Sequence, residues 1–442
     1  MIDSDTIFAL STAMGRSGVA VIRVSGPSAW DGCQLFLGSQ NLPIPRQAVT
    51  RKLYHPQTNE ILDNAMIIGF RAPASFTGED CIEYNVHGGT AIIQGVLLAL
   101  STLKNHRMAL PGEFTRRAFE NGKMDLTAAE AVADLIHAET ESQRLQALKQ
   151  MDGALFRLYE DWKDRIAKLL ALLEADLDFS DQDLPDDLLL KIRPNMTDVM
   201  NEIYNHINDG RRGELLRDGF RLVILGAPNA GKSSLLNQLV QREAAIVSPI
   251  AGTTRDVIDV HLNLGGYPVV LADTAGLRLS DDSIEGEGIR RAIDRATQAD
   301  LKILLFDGTA PPDEKTLSLM DDKSILVMNK CDAKDHHQSY TDKQMIKISA
   351  LTGEGLENLI AELINHIKNI LGHADTPVLT RARHREALEK CIEALNRSMT
   401  APLPELIAED LRLAVRYLGS ITGRVDVEDL LDMIFRDFCI GK

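Results

Sequence analysis

The sequence predicts a multidomain α/β protein: an N-terminal α+β domain, a helical domain, and an α/β domain with a parallel-dominated sheet inserted within the helical one. Three observations lead there. The chain has 442 residues, enough for about three domains at roughly 150 residues each. Near Thr127 its apolar pattern changes from short β-branched runs to a helical period. Beyond residue 219, a buried-type strand, a glycine-rich loop and an apolar helix open a new α/β unit that has helical segments on both sides.

In residues 1–118 the runs Gly18-Val19-Ala20-Val21-Ile22-Arg23-Val24 and Ala65-Met66-Ile67-Ile68 read as strands between Gly/Pro/Ser turns. Over Cys81-Ile82-Glu83-Tyr84-Asn85-Val86-His87, alternation sends Ile82, Tyr84 and Val86 to one face and Glu83, Asn85 and His87 to the other. Thr127 and Glu130 are spaced as a capping box ahead of Val132, Leu135 and Ile136. A second helix carries Leu155, Leu158, Trp162, Ile166, Leu169, Leu173 and Leu177, and a third Ile192, Met196, Val199, Ile203 and Ile207. Asp176 to Asp187 between them reads as an acidic loop. Helical periodicity resumes after Pro377 through Leu388, Leu395, Leu411, Leu418, Ile434 and Phe438. The economical division is one helical domain of residues 119–213 plus 376–442, with 214–375 inserted, because neighbouring termini make insertion cheap. Two separate helical domains are the alternative.

Composition excludes several classes of protein. With 48 Lys+Arg against 64 Asp+Glu the net charge is −16, so the chain as a whole repels nucleic-acid phosphate unless a partner supplies positive surface. Five cysteines, Cys33, Cys81, Cys331, Cys391 and Cys439, show no metal-ligand spacing and suit a reducing cytosol. Asp3 and Asp5 stand where a secretory signal would be basic. No apolar run approaches a membrane span, and the expected location is cytoplasmic.

The chemistry concentrates in four ordered motifs. Gly226-Ala227-Pro228-Asn229-Ala230-Gly231-Lys232-Ser233 fits G-x-x-x-x-G-K-[ST] between the strand 220–225 and the helix that opens with Ser234. Its amides can cradle phosphate, Lys232 neutralises β/γ charge, and the Ser233 hydroxyl can ligate Mg²⁺. Asp273-Thr274-Ala275-Gly276 follows an apolar run and brings an acidic residue and a glycine amide to the metal and γ-phosphate. In Asn329-Lys330-Cys331-Asp332 the Asp332 carboxylate can accept from both the ring N–H and the exocyclic amine of guanine, a donor pair adenine lacks. Ser349-Ala350-Leu351 fits the loop whose amides meet the guanine carbonyl. Together these specify a Ras-like P-loop GTPase domain. Within Ser248-Pro249-Ile250-Ala251-Gly252-Thr253-Thr254, Thr254 is the residue expected to reach Mg²⁺ when the γ-phosphate is bound; a plain Thr-rich turn is the alternative. Leu277 replaces the glutamine that orients water in Ras-like proteins. Glu285 or Asp282 could take that task from the polar segment 279–287, or the segment is a solvated loop.

These motifs, with Ser75-Phe76-Thr77-Gly78-Glu79-Asp80, Pro111-Gly112-Glu113-Phe114-Thr115 and the ending Phe438-Cys439-Ile440-Gly441-Lys442, closely resemble the MnmE (TrmE) family of tRNA-modification GTPases over all three domains. The resemblance implies an N-terminal folate-binding domain that forms a homodimer, and G domains that pair across a K⁺ site. Asn229 would ligate K⁺ together with the carbonyls of Ser248, Ile250 and Thr253, and Glu285 would position water. A tetrahydrofolate one-carbon donor would be held by Arg23, Glu83, Lys123 and Lys442. An FAD-dependent MnmG-like subunit would complete a heterotetramer and carry most of the tRNA contact. The implied function is GTP-dependent addition of a 5-carboxymethylaminomethyl or aminomethyl group to wobble uridine. Ala227 departs from the Arg of many relatives, with little consequence expected. Cys439 reads either as a reactive thiol or, preferably, as a buried packing residue. A ribosome-assembly switch and a GTP-gated scaffold are the rival functions.

Overall fold

In the computed structural model the residues described are 5–178, 188–209, 211–242, 245–246, 260–271, 297, 299–335, 337, 345–371, 377–425, 428–436 and 438–441. They belong to two compact units, Met1–Ala133 with Leu418–Lys442, and Asp134–Tyr417. This division cuts the chain elsewhere than at residues 118 and 375.

The first unit is built on strands β1 (Thr6–Leu10), β2 (Ser17–Ser25), β3 (Val49–Tyr54), β4 (Ile61–Phe70), β5 (Cys81–Gly88) and β6 (His106–Met108), in the order β3-β4-β5-β2-β1-β6. Every pairing is antiparallel except β1 with β6. Helices Ala29–Leu37 and Thr90–Ser101 cover one face, where Trp30, Phe36, Val96 and Leu100 pack against Ile22, Val24, Ile82, Tyr84 and Val86. Each such side chain contributes about 1.5–3 kcal/mol on burial. The period of two along β5 is as the sequence implies: Ile82, Tyr84 and Val86 are buried while Glu83 is half-buried on the opposite face.

Helix Glu113–Glu120 lies on that opposite face, where Phe114 packs with Ile7, Ala9 and Phe76. The next helix begins at Leu126, so Thr127 lies inside it. Its first turn is capped by Asp125, whose Oδ1 accepts from the N–H groups of Thr127 (2.8 Å) and Ala128 (3.3 Å). Thr127 and Glu130 have the spacing of a capping box but both lie inside the helix, so the capping role falls to Asp125. The genuine box is at Thr140, with Gln143, ahead of helix Glu141–Met151.

The C-terminal helix Glu428–Arg436 joins this first unit, with Phe435 and Phe438 against Phe119 and Leu126. The chain then runs back along the sheet: the Gly112 N–H donates to the Cys439 carbonyl (3.3 Å), Pro111 bridges Ile440, and Ser11 Oγ donates to the Gly441 carbonyl (3.0 Å). Gly441 has φ 99°, and a Cβ there would sit 2.1 Å from the Leu10 carbonyl oxygen. Only glycine fits so close an approach. Cys439 is exposed, which corrects the packing reading; the anchoring apolar groups are its neighbours Phe435 and Phe438.

The second unit holds strands β7 (Phe220–Leu225), β8 (Ala245–Ile246), β9 (Val260–Leu264), β10 (Tyr267–Leu271), β11 (Leu301–Asp307), β12 (Ser324–Asn329) and β13 (Ile346–Lys347), ordered β13-β12-β11-β7-β10-β9-β8. β10, β7, β11, β12 and β13 are mutually parallel, and β9 alone runs against them, pairing antiparallel with both β10 and the edge strand β8. Both faces are covered, which is why β11 reads as the run Leu-Lys-Ile-Leu-Leu-Phe, apolar but for Lys302. Strand order reverses at β7, and ligands of open α/β sheets bind at the carboxyl ends beside such a switch point. Helices Ala154–Asp178, Leu188–Ile207 and Ala382–Thr400 belong to the same unit, with Tyr159, Trp162, Ile203, Leu388 and Cys391 buried. Tyr159, Trp162, His206 and His384 meet there as a ring cluster with centroids 5.4–5.9 Å apart.

Candidate functional site: a phosphate loop joined to a base-reading turn

β7 delivers the chain to Gly226, where a Cβ would lie 2.4 Å from the Leu305 carbonyl oxygen of β11. The loop then turns through left-handed backbone at Asn229 (φ 62°) and Gly231 (φ 100°). Asparagine tolerates that region better than most residues. At Gly231 a side chain is excluded outright, since its Cβ would fall 2.1 Å from Asn329 Nδ2. Helix Lys232–Arg242 starts immediately afterwards, so its first N–H groups and its positive dipole end face the loop. Lys232 Nζ donates to the carbonyls of Gly226 (3.0 Å) and Ala227 (2.8 Å), spanning the cradle it would share with a phosphate. Asn229, Ser233 and Ser234 are exposed at the mouth.

Asn329 holds the site together. Buried at the end of β12, it donates from Nδ2 to the Ala230 carbonyl (2.8 Å) and accepts at Oδ1 from the Ala350 N–H (2.9 Å). One side chain thus staples the phosphate loop to the Ser349-Ala350 loop. The Cys331 N–H donates to the Ile348 carbonyl (3.0 Å), and Asp332 and Leu351 are exposed beyond it. Lys330, at φ 65°, pairs with Asp307 through Nζ and Oδ2 at 2.6 Å.

The phosphate-loop residues Asn229 to Ser234 and the residues expected to read the base, Asn329, Lys330, Asp332, Ser349, Ala350 and Leu351, are therefore brought together. Ser248, Pro249, Ile250, Ala251, Gly252, Thr253, Thr254, Asp273, Thr274, Ala275, Gly276 and Glu285 lie outside the described residues. Among the described residues no group of three or more His, Cys, Asp or Glu could hold a metal ion. Mg²⁺ asks for less, usually one or two protein oxygens besides the phosphates, and the exposed Ser233 hydroxyl fits that demand. A cleft of about 240 Å³ lies elsewhere, lined by Leu145, Lys149, Tyr267, Leu371 and Pro377. Among the described residues it borders none of those expected at the site.

A second polar constellation lies on the other face of the N-terminal sheet, beside helix Glu113–Glu120. Arg23 and Glu83 stand opposite each other across β2 and β5 and form an ion pair, Nε at 3.0 Å and Nη2 at 2.9 Å from Oε1. The Arg23 guanidinium lies 5.3 Å from the Phe76 ring centroid and 5.8 Å from that of Phe114. Lys123 Nζ donates to the Pro73 carbonyl (2.9 Å), on the same loop as Phe76. Lys442 lies outside the described residues, but its neighbour Gly441 is fixed against Leu10 and Ser11, and Ala9 faces Arg23 across β1 and β2.

Beneath them is a buried charge network that the sequence did not announce. Arg117 donates to Glu79 (3.2 Å) and Glu113 (3.0 Å), Arg107 to Glu113 (2.7 Å), and Ser25 Oγ to Glu79 (2.7 Å). Burial alone would raise the Glu113 carboxyl, but hydrogen bonds from Arg107 and the Leu110 N–H, with the charge of Arg117, hold it below the usual carboxylate range. Only the recurrence of Glu and Arg in the 75–80 and 111–117 segments could have hinted at it.

Residues 126–439 match the family described as the MnmE helical domain, and residues 6–123 match the GTP-binding protein TrmE N-terminus. The chain is 52% identical to the tRNA modification GTPase MnmE of Parvibaculum lavamentivorans over 442 residues, 99% of this chain and 100% of that protein. It is 50% identical to the protein of the same name from Rhodospirillum rubrum, covering 99% of each chain. Against the mitochondrial 5-taurinomethyluridine-[tRNA] synthase subunit GTPB3 of Danio rerio the identity is 47%, covering 99% of this chain and 93% of the other.

Proposed function

The chain belongs to the MnmE family of tRNA modification GTPases, and from that premise we propose that it is the GTP-hydrolysing subunit of a complex that builds an aminomethyl-type group onto wobble uridine. It is a P-loop GTPase. The observation that carries the GTP half is the double hydrogen bond of Asn329, which couples phosphate cradle and base-reading loop into one guanine-nucleotide site.

Lys232 offsets phosphate charge, Asp332 reads the guanine donor pair, and Ser233 with Thr254 holds Mg²⁺. K⁺, held by Asn229 and by the carbonyls of Ser248, Ile250 and Thr253, supplies the positive charge that an arginine finger supplies in other GTPases. The exposed, left-handed Asn229 suits such a ligand. Glu285 orients water in place of the glutamine that Leu277 replaces.

On the N-terminal face, a tetrahydrofolate derivative supplies a one-carbon unit. Arg23, Glu83, Lys123 and Lys442 hold it, with the Phe76 and Phe114 rings beside Arg23. The chain acts as a homodimer with an MnmG-like, FAD-dependent partner in the cytoplasm. A net charge of −16 supports leaving tRNA mainly to that partner.

Mass analysis of wobble uridine in tRNA from cells lacking the chain tests the reading: loss of the modified nucleoside is expected, and an unchanged nucleoside overturns it. Hydrolysis rates in K⁺ and in Na⁺, and folate titration of the purified chain, test the ion and the donor separately. Equal rates in the two salts remove the ion, and an absent titration removes the donor.

A further inference from the structure

The base-reading turn has a support 23 residues earlier in the chain. β11 ends at Asp307, which stands in register with Asn329 on β12. Its Oδ2 accepts from Lys330 Nζ (2.6 Å), and its Oδ1 accepts from the Thr309 N–H (2.9 Å) and hydroxyl (2.7 Å). The next residue, Gly308, donates its N–H to the Asn329 carbonyl (2.9 Å), and a Cβ there would lie 2.8 Å from that oxygen. Asp307-Gly308-Thr309 and Asn329-Lys330 are thus two turns pressed together, backbone on backbone, with one ion pair across them.

We propose that Asp307 is a positioning residue for guanine-nucleotide binding: it fixes the Lys330 side chain and, through it, the turn that carries Asp332. This rests on the guanine-site reading above. Lys330 sits at φ 65°, a backbone region that a residue with a side chain holds only when its surroundings insist. The pair is partly exposed, Lys330 at 39% and Asp307 at 21%, so it adds little to global stability. Its effect is preorganisation: a long side chain already ordered in the free protein is not ordered at the expense of binding. Burial alone would raise the Asp307 carboxyl, but hydrogen bonds from Lys330 and Thr309 hold it below the usual range.

The test uses the full chain, with GTP affinity from equilibrium titration and kcat measured alongside. Asp307→Asn should weaken GTP binding about threefold to tenfold, with kcat at saturation and the melting temperature little changed. Asp307→Glu, which keeps the charge, should recover part of the loss. Adding Asp307→Asn to Lys330→Met should cost nothing beyond Lys330→Met alone. Unchanged affinity in Asp307→Asn, or multiplied losses in the double variant, overturns the proposal, as does a loss that merely follows the melting temperature. Asp332→Asn serves as the control. If it too binds GTP normally, the guanine-site reading falls and takes Asp307 with it; if it alone weakens binding, only the Asp307 role is lost.

Discussion

The nucleotide site and the charged face of the N-terminal sheet are built in opposite ways. The first is made of backbone: strand ends, left-handed turns and loop amides, with Asn329 as the staple. The second is made of side chains: Arg23 from β2, Glu83 from β5, Phe76 from the loop after β4, Phe114 from helix Glu113–Glu120 and Lys123 just beyond it. A backbone site constrains consecutive residues, because each turn needs its own glycine or asparagine. A side-chain site constrains residues scattered along the chain. The chain's two tryptophans fall one in each unit, Trp30 and Trp162, so each region has its own optical reporter.

Four perturbations probe this contrast. The largest effect is expected from Arg117→Ala, which leaves Glu79 with no cation and only the Ser25 hydroxyl, and Glu113 with Arg107 alone, and should cost about 3–5 kcal/mol. Trp30 fluorescence should report early melting of the first unit while GTP turnover persists; concerted loss of both would mean that the two regions are not separable. Lys232→Ala does the reverse. It should slow GTP hydrolysis about 10²–10³-fold and leave folate titration unaltered, and a shifted folate curve would couple the sites.

Third comes acid. Burial, with the charges of His384 and Arg385, pushes the His206 imidazole down to about 4. Because the folded value lies below the unfolded one, the unfolded chain binds the extra proton between about pH 6.5 and 4, and stability falls as pH drops through that window. The loss approaches about 3 kcal/mol at its acid end. Trp162, whose ring lies 5.4 Å from that of His206, should register it, and His206→Gln should flatten the dependence. A profile unchanged by that substitution would assign the acid sensitivity elsewhere. The smallest effect is Asp125→Ala, about 1 kcal/mol for one lost helix cap, measured by denaturant titration against Thr127→Ala, which should cost less.

The same contrast explains what could be read in advance. The phosphate loop, the Asn-Lys-x-Asp turn and the order of the elements were legible because sterics dictate them locally. Asp307 escaped notice because its partner is reached only when β11 and β12 lie side by side, and nothing near it in sequence signals the pairing. Arg117 escaped for a similar reason, since a solvated helix arginine has the same local pattern. Arg23 and Glu83 were reached through family resemblance, and the alternation of β5 alone said only that Glu83 faces away from the core. Thr127 shows the reverse failure, a local pattern satisfied by the wrong residue.

The contact between Ser11 and Gly441 spans 430 positions of sequence, and that separation has a consequence in time. A ribosome emits residues in order and domains fold as they emerge. All of Asp134–Tyr417, with its phosphate loop, is therefore available to fold before Gly441 has been made. Long separation adds only logarithmically to the closure cost, so the finished contact is scarcely weaker for it, but it must wait. A nascent chain stopped before Ile440 would carry a complete nucleotide cradle and an open edge beside Arg23, and the N-terminal face matures last although it is synthesised first.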